Sequence, residues 1–212
     1  MNKTLKNRLI TIAKKNIKND ISHDFSHAYR VLQLSEKIGN IENADMDILI
    51  PAALFHDIKV YKGTSKYIYE HEESSNFAEK ILNSIKKYPK HKIKHVGYAI
   101  SVCSFSKNIN PKTLEAKILQ DADLLEASGA IGMMRTFGST NAMHRNYFYN
   151  MDDPFCKVRE PDENIFVLDL FFTRLLIVQN RMHTKTAIHM AKRRYKFLKS
   201  FINELHLKLK NR

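Results

Sequence analysis

Four short stretches of the chain carry side chains able to do acid, base or metal chemistry. In the first, His23-Asp24-Phe25-Ser26-His27-Ala28-Tyr29-Arg30, the spacing i, i+4, i+7 puts His23, His27 and Arg30 on one helix face. The second, Ala52-Ala53-Leu54-Phe55-His56-Asp57, is an apolar run that ends in two adjacent metal-capable groups. The third is His71-Glu72-Glu73-Ser74, and the fourth, Gln120-Asp121-Ala122-Asp123-Leu124-Leu125-Glu126-Ala127, sets acids inside an apolar stretch. Burying an ionised carboxylate alone is costly, so such groups are paired or bind a cation. Two imidazoles and two carboxylates make a mixed nitrogen and oxygen set. It suits Mn, Fe, Co, Ni or Mg in a six-coordinate shell better than a closed tetrahedral zinc site. Four protein ligands leave two positions for water and a substrate oxygen, and a cation held so acidifies water and neutralises phosphoryl charge. Taken singly, each stretch has an ordinary reading: exposed helix histidines, a hydrogen-bonded His-Asp pair, or capping carboxylates at Asp121 and Asp123.

The elements that must position these groups read as helices. Leu5, Leu9, Ile10, Ile12 and Ala13 share one side of a first helix. Asp24 or Ser22 caps a second, with Ala28, Val31, Leu32, Leu34, Ser35 and Ile38 on its apolar face and an expected end at Gly39. Asp45 or Asp47 starts a third that runs to Phe55, with Pro51 expected near its first turn. Further helices are expected over 70–85, from Ile93 towards Cys103, from Pro111 towards Asp123, and through Ile131, Met134 and Phe137 to a stop at Gly138. Residues 139–163 show no sustained period and contain Pro154 and Pro161; a loop of that length is functional, as a lid, or disordered. Two long helices are expected after it, over about 163–181 and 184–209, with Thr184 as N-cap of the second. Strand alternation is sustained nowhere, so the expectation is an all-α single domain over 1–212, with its core at about 20–130.

Composition narrows the function classes. A 43% hydrophobic content over 212 residues argues for a globular domain and against disorder. The two cysteines form no CxxC pair or disulfide framework, so a reducing, cytoplasmic compartment is expected. The basic N-terminal stretch lacks a continuous apolar core, and no apolar run approaches a membrane span, so neither a signal peptide nor a membrane partner is expected. The net charge of +13 favours anionic partners: it concentrates phosphate substrates and supports weak, nonspecific nucleic-acid binding. The lysines are scattered without an interleaved aromatic pattern, which fits a solvated surface. Oligomeric state is not legible.

The order of the four stretches resembles the HD-domain superfamily of metal-dependent phosphohydrolases, whose pattern is His, then His-Asp, then a distant Asp. Those map onto His27, His56-Asp57 and Asp123. The match is closer to a subfamily of small bacterial and archaeal HD hydrolases. It rests on His23-Asp24-x-x-His27-x-x-Arg30-Val31, Ala52-Ala53-Leu54-x-His56-Asp57-Ile58 and Gln120-Asp121-Ala122-Asp123-x-Leu125-x-Ala127-x-Gly129-Ala130-Ile131-Gly132. The helix Ala191-x-x-Arg194-x-x-Phe197-x-x-x-Phe201 is also similar, and the likeness covers roughly residues 20–205. The resemblance implies a helical HD bundle, one divalent metal held by His27, His56, Asp57 and Asp123, and activity on nucleotide phosphates. Relatives often carry an acid just after His-Asp, where this chain has Lys59-Val60, and a His where it has Cys103. Where two metals are held, that His and one resembling His71 bind the second ion, so Cys103 favours a single metal.

The resulting expectation is a phosphohydrolase in which Asp57 orients and deprotonates the attacking water, with His71 or Glu72 as the alternative base. His23, Arg30, Lys59 and Lys62 grip phosphate oxygens, because phosphoryl transfer is largely positioning and charge stabilisation. Arg30 has a structural alternative, bridging to a carboxylate such as Asp121. If the 139–163 loop is a lid, His144, Arg145, Tyr147, Phe148 and Tyr149 are expected to stack on a base and contact phosphate; the alternative is a disordered surface loop or a dimer contact. The competing reading is a basic nucleic-acid-binding or regulatory module that keeps the metal site with little turnover.

Overall fold

The computed structural model describes residues 1–17, 24–59, 70–104, 109–140 and 144–210. They fall into two compact units, Met1–Leu124 and Leu125–Arg212. The fold is all-α: among the described residues there is no strand, and the single extended pairing is an isolated bridge between Tyr147 and Phe166. No helix among them is long and apolar enough to cross a membrane.

The first unit holds α1 (Lys3–Asn16), α2 (Phe25–Glu42), α3 (Met46–Phe55), α4 (Glu70–Ser84), α5 (Ile93–Ser101) and most of α6 (Leu114–Glu126). Its centre is α3, apolar on all sides and buried at every residue from Ile48 to Phe55. A helix without a polar face must be wrapped, and α1, α2, α4 and α5 all pack on it. Pro51 lies in the interior of α3, not in its first turn. A proline there cannot donate to the carbonyl four residues back, that of Asp47. The Tyr88 hydroxyl donates to that carbonyl instead, at 2.7 Å, which restores the missing hydrogen bond.

Two further boundaries differ from expectation for local reasons. Helix α2 runs past Gly39 to Glu42 and ends on Asn43 in the left-handed conformation (φ 59°), whose N–H bonds back to the Gly39 carbonyl. Asparagine tolerates that geometry, so no glycine is needed. Helix α6 begins at Leu114, three residues after Pro111, where the Thr113 hydroxyl accepts the Ala116 N–H at 3.3 Å.

The second unit contains α7 (Gly129–Gly138) and α8 (Lys185–Lys210), which pack on each other. The expected apolar face of α7 is corrected: Gly129, Gly132 and Thr136 are its buried residues, and Met134 is exposed. Small residues let neighbouring chain come close. A Cβ at Gly132 would sit 2.2 Å from the Ala127 carbonyl oxygen, and Gly129 has φ +68° with the Arg194 stem 3.2 Å from its would-be Cβ. Phe137 joins a ring cluster with Phe148, Phe171 and Phe201.

Of the two long C-terminal helices expected, the second is α8, with the Thr184 hydroxyl accepting the Ala187 N–H. The first is corrected. Residues 163–181 hold a π-turn at Phe171–Leu175, with the Leu176 N–H bonding to Phe171 O at 2.8 Å, then a 3₁₀ turn at Val178–Arg181. Polar anchors compete with regular winding there. Asp169 takes both terminal nitrogens of Arg159 (2.6 and 2.7 Å) and the Asp162 N–H (2.7 Å), and the Thr173 hydroxyl bonds Glu163. The described part of the 139–163 loop is likewise organised, because the Asp153 carboxylate accepts the N–H groups of Lys157, Val158 and Arg159.

Candidate metal centre

Each of four functional side chains sits at a helix end or just inside one. His27 lies in the first turn of α2, where Asp24 caps the helix by accepting the His27 N–H at 2.9 Å. His56 closes α3 and Asp57 follows it, so the apolar helix delivers both from the core. Asp123 lies near the end of α6. One turn earlier on that helix, Gln120 donates to the carbonyls of Val102 (2.5 Å) and Ile109 (3.0 Å) and ties α6 to the segment carrying Cys103.

The four groups converge. The two Nε2 atoms of His27 and His56 are 3.2 Å apart. Asp57 Oδ2 lies 3.4 Å from His27 Nε2 and 3.5 Å from His56 Nε2. Asp123 Oδ1 lies 3.5 and 3.8 Å from the same two nitrogens. The imidazoles are sealed, at 2% and 0% exposure, while Asp57 and Asp123 are 17% and 27% exposed; the cluster therefore opens on its carboxylate side.

The hydrogen bonds say what the cluster lacks. His56 Nδ1 lies 2.9 Å from the Ala53 carbonyl, which can only accept. Nδ1 therefore carries a proton in either charge state, and whenever His56 is neutral its Nε2 presents a lone pair to two carboxylates. An orienting carbonyl behind an imidazole is the usual support of a metal-binding histidine. Burial disfavours protonating His56, but Asp57 and Asp123 outweigh it and raise its pKa. Burial likewise works against ionisation of Asp123, yet the hydrogen bond and charge of His56, helped by His27, hold its pKa below the ordinary carboxylate value. The pocket thus needs positive charge. Donors about 2.1 Å from one ion lie ~3.0 Å apart at right angles and ~3.4 Å apart at the tetrahedral angle. The observed separations suit a small divalent cation, and the described residues include a His27, His56, Asp57 group able to hold one.

The remaining expected residues are placed as follows. Arg30 is half-buried one turn beyond His27 on α2. Lys59 sets its ammonium 5.3 Å from the Phe77 ring centre, and its N–H bonds the Ser74 hydroxyl at 3.1 Å. His71 is half-buried and Glu72 exposed on α4, and neither belongs to the convergent group. His23 and Lys62 lie outside the described residues. Cys103 is buried, and burial, then Asp123 and Asp57, push its thiol well above the ordinary value, so it stands as a neutral thiol. Two buried groups escaped the sequence reading: Glu70, an acid sealed at the start of α4, and the Ala53 carbonyl that orients His56. A backbone carbonyl leaves no residue-type signal, and Glu70 looks like any first-turn acid.

Residues 24–128, which contain all four converging groups, match the HD domain family. The chain belongs to the HD-domain superfamily. The chain is similar to YpgQ of Bacillus subtilis, 28% identical over 184 residues, which span 86% of this chain and 82% of YpgQ. The crystal structure of YpgQ in complex with ADP superposes with a TM-score of 0.73 at 27% identity, covering 97% of this chain and 95% of that one. The Lin1889 protein of Listeria innocua is 31% identical, with a TM-score of 0.72 and 99% and 98% coverage. An HD-superfamily hydrolase from Bacillus thuringiensis is 26% identical, with a TM-score of 0.73 and the same coverage. The fold and the hydrolase class of the HD superfamily thus agree with the site chemistry.

Proposed function

We propose that this HD protein is a metal-dependent phosphohydrolase that cleaves a phosphate ester or anhydride of a nucleotide. The observation that carries the reading is the orientation of His56: its Nδ1 is occupied by Ala53, so its Nε2 lone pair joins two carboxylates around a point that needs a cation. His27, His56, Asp57 and Asp123 would hold the ion, of the Mn, Fe, Co, Ni or Mg class. When bound, it supplies Lewis-acid chemistry, acidifying water and offsetting charge on phosphoryl oxygens.

The chain's own groups do the rest. Asp57, on the open side of the cluster, orients the attacking water and accepts its proton; His71 and Glu72 are the alternative bases. Arg30, with Lys59, His23 and Lys62, holds phosphate oxygens and fixes the line of attack. Lys59 must leave the Phe77 face to do so, which a weak cation–π contact permits. The +13 charge speeds capture of anionic substrates. The nucleotide assignment is supported by a relative, YpgQ, having been crystallised with ADP.

The test is turnover of nucleoside mono-, di- and triphosphates by purified protein loaded with Mn, Co, Ni or Mg, following both phosphate and pyrophosphate release. Metal-dependent release that disappears in Asp57→Ala supports the reading. Metal-loaded protein that binds nucleic acid in a salt-sensitive way and turns over nothing would replace it with the binding module.

A further inference from the structure

Arg145 is a buried cation with one nitrogen left unsatisfied among the described residues. It is 7% exposed, and arginine is almost never buried that deeply without a partner. Its backbone N–H bonds the Thr140 carbonyl at 3.1 Å and its Nε donates to the Glu163 carbonyl. Its Nη1 meets no acceptor among the described residues. The nearby carboxylate is already engaged: Glu163 accepts two bonds from Arg174 Nε, at 2.9 and 3.0 Å, one from Arg174 Nη2, and one from the Thr173 hydroxyl. Asp169 is held in the same way by Arg159 and the Asp162 N–H. Glu163 thus lies beside both Arg145 and Arg174, and the charges of both lower its pKa.

The unsatisfied nitrogen sets the chemistry of what is missing. A buried donor of a charged group left without an acceptor costs free energy, and a guanidinium does not shed its proton. The two N–H groups of Nη1 form half of a fork that matches two oxygens of one oxyanion. A phosphate group offers three such oxygens and at least one full negative charge. We infer that Arg145 anchors a phosphate-binding site within the Leu125–Arg212 unit, built from the Arg145 guanidinium with the Arg174–Glu163 pair beside it. The phosphate has two sources of identical chemistry, free inorganic phosphate or the phosphate chain of a nucleotide. The site uses none of the four groups of the metal centre.

The experiment is thermal unfolding of the full, metal-stripped chain in chloride buffer, titrated with inorganic phosphate, ADP or adenosine. Wild type should gain melting temperature with phosphate or ADP and not with adenosine. Saturation by phosphate alone identifies the free ion as the source; a response to ADP only assigns the site to a nucleotide. Asp57→Ala should keep the response, because the metal centre is not involved. Arg145→Met should melt at or above the wild-type temperature without anion and lose the response. Arg145→Lys keeps the charge but not the fork, so its phosphate affinity should fall by about tenfold or more. Should Arg145→Met not fold, Arg145→Lys decides alone. A wild-type chain indifferent to both phosphate and ADP, or an Arg145→Lys variant with undiminished affinity, would overturn the site.

Discussion

The two units of this chain place their charged residues to opposite ends. In Met1–Leu124 an almost wholly apolar helix, α3, is wrapped by four others; besides pairs such as Lys6–Glu36 and Lys92–Asp47, His27, His56, Asp57 and Asp123 converge where the ends of three helices, α2, α3 and α6, meet. In Leu125–Arg212 charge is spread through the framework: Asp153 on three loop N–H groups, Arg159 on Asp169, Arg174 on Glu163, Arg135 on Glu126. The first unit uses its hydrophobic core to present an unneutralised polar cluster. The second uses neutralised polar pairs to make an irregular chain rigid. A buried polar group left unsatisfied is therefore informative in either unit.

The strongest way to break this comparison is to remove a group from the convergent cluster. Asp57→Ala or His56→Ala should lower metal-dependent turnover by at least about a thousandfold, since the cation contributes several kcal/mol to such chemistry. Metal content measured on the same preparations should fall with it, and the melting temperature of metal-free protein should change little. A variant with full metal content and full turnover would show the cluster to be structural, like the pairs of the second unit.

The next largest effect belongs to the second unit. Asp169→Ala leaves Arg159 without its partner and the Asp162 N–H without an acceptor. Breaking a buried pair from one side costs about 3 kcal/mol, the low end of the usual range because Arg159 is 20% exposed. Hydrogen exchange should show lost protection in α8 and the 150–175 region, with α3 amides and metal content unchanged. Loss of metal without loss of α8 protection would reverse the division of roles.

Acid separates the two uses of charge by pH. Metal release should come first, because protons compete with the ion for the His56 imidazole, whose pKa, against the lowering effect of burial, Asp57 and Asp123 raise above its ordinary 6.5. The polar clasps go later. Burial raises the Glu163 pKa, but Arg174 and Thr173 hold it below its ordinary 4.5. The N–H groups of Val158 and Lys157 hold Asp153 below 3.8. A carboxylate with a depressed folded pKa contributes stability that is complete above its unfolded value and lost as pH falls through its folded value. Melting temperature should therefore drop below about pH 4.5, and Glu163→Gln should flatten part of that limb. An unchanged acid limb in Glu163→Gln would remove Glu163 from the framework.

Legibility followed the same division. Helix periodicity gave α1 to α6 nearly in place, because their apolar stripes are what the core of the first unit selects. The four residues that converge were legible because His56, Asp57 and Asp123 interrupt apolar runs and because their order with His27 resembles the HD pattern. Residues 163–181 misled for the opposite reason. Their apolar residues suit a helix, but Asp169 and Thr173 bond to the preceding loop and draw the winding into a π-turn. Such partners lie outside any helical window. The buried face of α7 was missed because glycines mark a close approach without adding hydrophobicity.

The smallest prediction concerns the interior of α3, where a proline removes a backbone bond. Pro51 leaves the Asp47 carbonyl without its helical donor, and the Tyr88 hydroxyl takes the place. Tyr88→Phe should cost about 1 kcal/mol, the usual worth of one hydrogen bond. Pro51→Ala restores an N–H to that carbonyl, so the same Tyr88→Phe change made in the Pro51→Ala background should cost less. A double-mutant cycle by denaturant unfolding reads the difference. Equal costs in both backgrounds would mean that Tyr88 acts through packing alone, and that the proline inside α3 is tolerated by burial, not by a replacement donor.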